Sequence, residues 1–292
     1  MSICHLLPLA LIGSALAANE APPITYPYEP YHQGRMDPKI TGWPLSAEGR
    51  AWAIQPREQR RPGDEAGKAL PDLIPVVPSA GRWKDPEKWL NLHGTLVEVV
   101  RSQQKPVDVV LLGDSITWLW GGTKIGNPKF HEAWAKRFSH LNTVNLGIPG
   151  DTTENILWRL DHGALDGIQP RVLVLLIGTN NKPNEKTQAA VAEGIRLILD
   201  NLQKRLPQTR IILVKTLPVA SEDMRRFCDH LDTLGLDQRS GIQVLDLWEE
   251  FVLPDGSIDL DQYIDAGLHL GEGYELYAKQ LEPLLKRALE SQ

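Results

Sequence analysis

The sequence predicts an α/β fold, a three-layer α/β/α arrangement built around a flavodoxin-like, five-stranded parallel sheet. Three observations support this prediction. Short apolar segments alternate with segments of helical periodicity from about residue 86 onward. Uninterrupted apolar runs are typical of parallel strands that are buried on both faces. The composition, 42 % apolar and 23 % charged, is that of an ordinary folded domain and excludes disordered and fibrous classes.

The elements follow one another in a regular order. Apolar and aromatic side chains recur at helical spacing from Trp89 to Val100, and a first strand at Val107–Leu112 ends at Gly113. Four further strands are predicted at Thr143–Leu146, Val172–Ile177, Ile211–Lys215 and Val244–Leu245. Helices are predicted near 130–138, 153–160, 187–205 and 274–288. This alternation indicates a doubly wound sheet whose ligand site lies at the carboxyl ends of the strands.

Two segments precede this α/β region. Residues 1–18 contain the apolar run Leu6–Ala18, which is too short to span a bilayer and ends in small residues, so they predict a signal peptide and a secreted or periplasmic protein. Because no Lys or Arg precedes the run, a buried amphipathic start is the alternative. Residues 19–82 form a proline-rich arm, either packed along the domain surface or a disordered tether. Residues 83–292 form the predicted α/β domain.

Charge and composition exclude several kinds of partner. The 31 basic and 37 acidic side chains give a net charge of −6, so a nucleic-acid partner is not expected. No stretch predicts stable membrane insertion. His131, His140 and His162 lack the spacing of metal ligands, and no metal or other cofactor is implied. Cys228 is interpreted as a buried thiol rather than a nucleophile.

Polar residues follow the first three strands, where a parallel sheet places its ligand site. The segment GDS at 113–115 puts the Ser115 hydroxyl at a strand-to-helix turn, either as a nucleophile or as part of a helix cap. Gly150 offers a backbone N–H after the second strand, and Asn180 offers an amide after the third. Taken singly these are turn residues, but with the Ser115 N–H they would hold an oxyanion. Asp151 is expected to cap the next helix.

A carboxylate and a histidine lie close together before the last helix. Asp265 and His269 occur in the segment YIDAGLHL, residues 263–270. A histidine at such a position is structural more often than catalytic, but its combination with a serine and two amide donors favours a base for the serine. Trp134 is expected in the core. Trp118 and Trp120 suit either a pocket wall or the core.

Four blocks in this order, GDS, GIPGDTT, GTNN and a late Asp and His, resemble the GDSL or SGNH hydrolase superfamily. The four letters of the second name fall on Ser115, Gly150, Asn180 and His269. About residues 83–288 are similar to the catalytic subunits of intracellular platelet-activating factor acetylhydrolase and their bacterial relatives. The resemblance implies a serine esterase without a cofactor, acting on short-chain, most simply acetyl, esters of a glycan or small molecule. A homodimer is among the assemblies it allows.

The sequence departs from the family at one position. The family usually places its acid three residues before the histidine, where this chain has Ala266, and Asp265 lies one residue further away. Three alternatives are open. Asp265 reaches His269 through a shifted turn, or a backbone carbonyl orients the ring, or the protein is a weakened or inactive hydrolase that binds glycans or acts as a scaffold.

Overall fold

The computed structural model describes residues 85–120, 131–185, 187–219, 222–265 and 267–290, together with residue 47. The predicted signal peptide, 1–18, and the predicted arm, 19–82, lie outside the described residues apart from Ala47, and so does Ala266. The boundaries between these segments and the domain stay predictions.

Five parallel strands form one sheet in the order β2-β1-β3-β4-β5, which confirms the predicted flavodoxin-like arrangement. The strands are β1 (Val109–Gly113), β2 (Thr143–Gly147), β3 (Val172–Leu176), β4 (Arg210–Val214) and β5 (Ile242–Leu245). Each begins and ends within two residues of its predicted position. The carboxyl ends of β1, β2 and β3 therefore lie side by side.

Helices cover both faces of the sheet. The described α-helices are α1 (Pro86–Arg101), α2 (Ser115–Leu119), α3 (His131–Phe138), α4 (Thr153–Asp161), α5 (Gln188–Arg205), α6 (Glu222–Asp232) and α7 (Gly273–Glu290). Short 3₁₀ helices occur at Thr179–Asn181, Leu236–Gln238, Trp248–Phe251 and Leu260–Gln262. None of the helices in the described part of the chain combines the length and the apolar character that a bilayer span requires.

The two faces of the sheet carry separate cores because successive strand side chains point in opposite directions. Val110 and Leu112 of β1 pack in a cluster with apolar residues of α1, α4, α5 and α6. Val109 and Leu111 pack in a second cluster with α2, α3 and α7. The result is the three-layer α/β/α arrangement that the sequence predicts.

Two glycines allow α2 to lie directly on the sheet edge. A Cβ atom added at Gly113 would lie 2.3 Å from Oγ1 of Thr117 in α2, and one added at Gly147 would lie 2.3 Å from the backbone nitrogen of Trp118 in the same helix. Both contacts are far shorter than van der Waals distances. The absence of side chains at these strand ends therefore sets how closely α2, which begins at Ser115, approaches the sheet.

We expect Gly147→Ala to lower the free energy of unfolding by about 3 kcal/mol or more, because backbone atoms of α2 cannot yield to the new methyl group. Urea unfolding measures this change. Gly256→Ala is the control, since its Cβ meets no atom within 4 Å and its φ of +82° adds only the left-handed penalty of about 1–2 kcal/mol. A Gly147 variant no less stable than this control would contradict the packing described for α2.

Candidate active site

Ser115 lies in the first turn of α2, directly after β1, and is half-buried. The residue before it, Asp114, is the N-cap, and its carboxylate accepts the N–H of Ile116 at 2.9 Å. The capping role suggested for this segment thus falls to Asp114. The hydroxyl of Ser115 is left to interact with residues from other elements.

Two buried side chains that the sequence analysis did not single out hold α2 in place. Asn145 of β2 donates its amide to the carbonyl of Thr117 at 2.7 Å and also to the carbonyl of Trp120. The hydroxyl of Tyr274 in α7 donates to the carbonyl of Ile116 at 2.6 Å. A polar residue within an apolar strand was the available signal for Asn145, because a buried amide needs a partner.

His269 lies between Ser115 and Asp265. Its Nε2 is 3.0 Å from Oγ of Ser115, and its Nδ1 is 2.6 Å from Oδ2 of Asp265. With Nδ1–H donating to the carboxylate, Nε2 is free to accept the serine proton. The structure therefore brings these three predicted residues together in the order that a serine, its base and an orienting acid require.

A hairpin turn explains how Asp265 reaches His269 across four positions. The N–H of Ile264 donates to the carbonyl of His269 at 2.9 Å, which closes the turn. Inside it, Oδ1 of Asp265 accepts the N–H groups of Leu268 at 2.9 Å and His269 at 2.8 Å. Ala266 itself lies outside the described residues. The contact between Asp265 and His269 is the one expected if Asp265 reaches the ring through a shifted turn.

These hydrogen bonds also set the charge of Asp265. Partial burial of Asp265 raises its pKa. Hydrogen bonds from the N–H groups of His269 and Leu268, together with the contact to the His269 ring, lower the pKa by more than burial raises it, so it lies below the usual range. Asp265 is thus ionised at neutral pH. An ionised carboxylate at Nδ1 is what stabilises a positively charged imidazole.

Gly150 and Asn180 lie on the loops that follow β2 and β3. Gly150 has a φ of +80° and sits in a turn closed by the Asp151 N–H donating to the Ile148 carbonyl at 3.2 Å. The Asn180 amide donates to the Asp151 carbonyl at 3.0 Å and lies 3.4 Å from Oδ2 of Asp114. Asn180 thus contacts the segments that follow β1 and β2. Within the described residues, no hydrogen bond joins Gly150 to Asn180 or to the other predicted site residues.

A buried ion pair holds the loop after β2. The Asp151 carboxylate accepts Nη1 of Arg159 and Nε1 of Trp89, both at 2.7 Å. The side chains of Asp151 and Arg159 are 0 % exposed. Burial raises the pKa of Asp151 to about 6, and the Arg159 charge and the Trp89 N–H oppose this rise. The pair fixes the loop whose carbonyl orients Asn180.

The prediction that Asp151 caps α4 is wrong. The N-cap is Thr152, and the side chain of Asn155 accepts its N–H at 3.0 Å. The reason lies two turns along the helix, where Arg159 draws the Asp151 carboxylate into the core. A cationic partner at that distance outweighs the local capping preference.

The family follows from the sequence comparison. The profile of the GDSL-like Lipase/Acylhydrolase family matches residues 111–276, which contain Ser115, Asn180 and His269. The chain belongs to this family. It is an acylhydrolase, that is, an esterase.

Relatives of this acylhydrolase confirm the resemblance to platelet-activating factor acetylhydrolase. Subunit alpha2 of platelet-activating factor acetylhydrolase IB from Rattus norvegicus is 34 % identical over 210 residues, 70 % of this chain and 86 % of that protein. The alpha1 subunit from Bos taurus is 32 % identical over 233 residues, 78 % and 92 % of the two chains. A GDSL-like lipase structure from Bacteroides thetaiotaomicron, 19 % identical, covers 67 % of this chain and 98 % of its own with a TM-score of 0.52, and so shares the fold.

Other side chains of the acylhydrolase take structural positions. Trp134 is 2 % and Trp120 is 1 % exposed, with ring centroids 5.0 Å apart, so both belong to the core, while Trp118 is half-buried. Cys228 is a buried free thiol beside the Thr216 hydroxyl, and burial raises its pKa to about 11, as expected of an unreactive cysteine. Within the described residues, no group of His, Cys, Asp and Glu is arranged to hold a metal ion.

Asp114 is a buried carboxyl group between Ser115 and Asn180. Its side chain is 1 % exposed, and burial together with the nearby charge of Asp151 raises its pKa to about 7, against the opposing hydrogen bond from Ile116. The folded protein therefore binds a proton here more tightly than the unfolded chain does. This stabilisation is complete below about pH 4 and is lost as the pH rises through 7.

We expect Asp114→Asn to remove that loss, because asparagine keeps the cap acceptor but does not titrate. Between pH 5 and 8 the stability of the wild type should fall by a few kcal/mol relative to the variant, at about 1.4 kcal/mol per pKa unit. Urea unfolding at both pH values measures the difference. Asp255→Asn is the control, since the pKa of that exposed carboxylate is lowered by Ser257. Equal pH dependence in the wild type and Asp114→Asn would contradict the assignment.

Proposed function

We propose that the protein is a serine esterase that hydrolyses short-chain esters, most simply acetyl esters, with Ser115 as the nucleophile. The observation that carries this proposal is the 3.0 Å contact between Nε2 of His269 and Oγ of Ser115. An unassisted serine hydroxyl is a weak nucleophile, and a base at hydrogen-bond distance is what activates it.

In the proposed reaction, Oγ of Ser115 attacks the ester carbonyl carbon while His269 takes the hydroxyl proton. The tetrahedral intermediate collapses, the C–O bond to the alcohol breaks, and His269 protonates the departing alcohol. Water then attacks the acyl-enzyme, with His269 again as base, and releases the acid and free Ser115. Asp265, 2.6 Å from Nδ1, orients the ring and stabilises its positive charge in both halves of the cycle.

The proposed oxyanion site consists of the backbone N–H groups of Ser115 and Gly150 and the side-chain amide of Asn180. Donors held rigidly before the reaction stabilise the developing charge without reorganisation. The support for this role is the anchoring of Asn180, whose amide is held by the Asp151 carbonyl at 3.0 Å. The Asp151–Arg159 ion pair in turn fixes that carbonyl.

The substrate and the compartment are proposed from the sequence. If residues 1–18 direct export, the enzyme would meet O-acetylated glycans or other small esters outside the cytoplasm, and we propose these as its substrate class. The alternative, an inactive glycan-binding or scaffold protein, was suggested by the missing acid at position 266. The contact of Asp265 with His269 at 2.6 Å argues against that alternative.

Ser115→Ala should lower kcat for p-nitrophenyl acetate by about 10⁴ or more, because both acyl transfer steps require the hydroxyl. The thermal unfolding midpoint should change little, since Asp114 and not Ser115 caps α2. The exposed Ser102→Ala is the matched control and should keep full activity. A Ser115 variant that keeps more than a few per cent of the wild-type rate would place the nucleophile elsewhere, and a wild type inactive on every short ester would favour the binding protein.

Asp265→Asn should keep the fold but lower turnover by about 10⁴, because the amide can present an N–H to Nδ1 and favour the wrong imidazole tautomer. Steady-state kinetics of Asp265→Asn and Asp265→Ala would measure the loss. Asp261→Asn, an exposed carboxylate of the preceding 3₁₀ helix, is the control for a general charge effect. If both Asp265 variants stayed within about threefold of wild type, a backbone carbonyl would be the better candidate for orienting His269.

A further inference from the structure

Exposed large apolar side chains are concentrated beside the proposed site. In the described ranges, the large hydrophobic residues on the surface are Leu253, Leu260, Ile264 and Leu268, with exposures between 38 % and 56 %. All four fall in one stretch of the chain. Ile264 directly precedes Asp265 in the sequence, and Leu268 directly precedes His269. We refer to these four residues as the hairpin patch.

Contacts at two glycines place two members of the hairpin patch against the turn. A Cβ atom built on Gly267, at the hairpin tip, would lie 3.5 Å from Cδ2 of Leu260. One built on Gly271 would lie 2.8 Å from Cγ2 of Ile264. The N–H of Leu253 donates to the Ser257 carbonyl at 2.7 Å in the loop that leads into this region. Leu260 and Ile264 therefore pack against the turn that carries Asp265 and His269, and Leu268 lies within that turn.

The chemistry of the hairpin patch favours a lipid surface over a protein partner. Its members are all aliphatic, whereas the residues that dominate protein interfaces are Trp, Tyr and Arg. Separate aliphatic side chains gain free energy by entering the acyl boundary of a lipid aggregate. Because they are few, the binding should be weak and reversible.

The surrounding charge indicates which lipid surface fits. No Lys or Arg occurs from residue 240 to residue 278. Asp255, Asp259 and Asp261 lie in the same stretch of the chain as the patch. The negative charge of these three residues repels anionic headgroups, which basic segments would attract. Uncharged or zwitterionic lipid is therefore the surface that the patch can approach.

We propose that the hairpin patch docks the protein on the surface of an uncharged or zwitterionic lipid aggregate. This inference rests on the proposed function in one respect, namely that docking would bring Ser115 and His269 to esters held at that surface. Under it, the small esters of the proposed substrate class would include those held at a lipid surface. The docking itself does not need the Ser115 hydroxyl.

The test is co-sedimentation of the full chain with phosphatidylcholine vesicles, compared with vesicles that also contain phosphatidylglycerol. The double variant Leu253→Ser/Leu260→Ser should bind phosphatidylcholine at least about tenfold more weakly than wild type. Leu253→Met/Leu260→Met is the matched control and should bind as wild type does. The apolar run of residues 6–18 is the same in all three proteins, so the comparison isolates the patch.

Hydrolysis of dissolved p-nitrophenyl acetate should be equal in the three proteins, and the single variants Leu253→Ser and Leu260→Ser serve if the double variant does not fold. Binding that is unchanged in the serine variants, absent in the wild type, or stronger on anionic vesicles would overturn the proposal. A change of oligomeric state in the serine variants without vesicle binding would assign the patch to a second copy of the chain and overturn it equally.

The two proposals can fail separately. Ser115→Ala should sediment with phosphatidylcholine as wild type does. Vesicle binding in a wild type without any esterase activity would overturn the proposed function and leave the docking surface standing. Esterase activity on dissolved esters without vesicle binding would overturn the docking surface and leave the proposed function standing.

Discussion

The close contact of α2 with the carboxyl edge of the sheet sets the position of the groups at the site. Gly113 and Gly147 leave no side chain of their own between the strand ends and α2. The buried amide of Asn145 and the hydroxyl of Tyr274 then satisfy carbonyl groups of the same short helix. A helix this short has little stability of its own, so its position depends on these tertiary contacts. Ser115 is held because the helix is held.

The remaining groups reach this fixed point from two directions. The hairpin before α7 delivers His269, and the side chain of Asp265 shapes the turn with the same carboxylate that contacts the ring. From the other side, the Asp151–Arg159 pair holds the loop that orients Asn180. Removing one member of such a buried pair leaves an uncompensated charge, which costs about 3–5 kcal/mol. Folding energy and site geometry are thus coupled in this loop.

The pairing of His269 with Ser115 was predicted from the combination of residue types and from the family resemblance, since His269 follows no strand of the sheet directly. Spacing and periodicity were sufficient to predict the sheet and the position of Ser115, Gly150 and Asn180 at one edge of it, because parallel strands bring their carboxyl ends together there. They were insufficient for Asp265, since its reach depends on a turn closed by backbone hydrogen bonds that residue spacing does not reveal. Asp151 was misjudged because a capping preference is local, whereas its partner lies eight residues along the chain. Tyr274 was missed for a related reason, as its acceptor is 158 residues away.

Covalent labelling with a fluorophosphonate reports whether His269 activates Ser115 as the nucleophile. Such reagents phosphonylate an activated serine, displacing fluoride, and the mass of the adduct locates it by peptide mapping. We expect one equivalent per chain on the peptide that contains Ser115, with a labelling rate about a hundredfold or more lower in His269→Ala. Labelling at another residue, or a His269→Ala variant that reacts as fast as wild type, would contradict it.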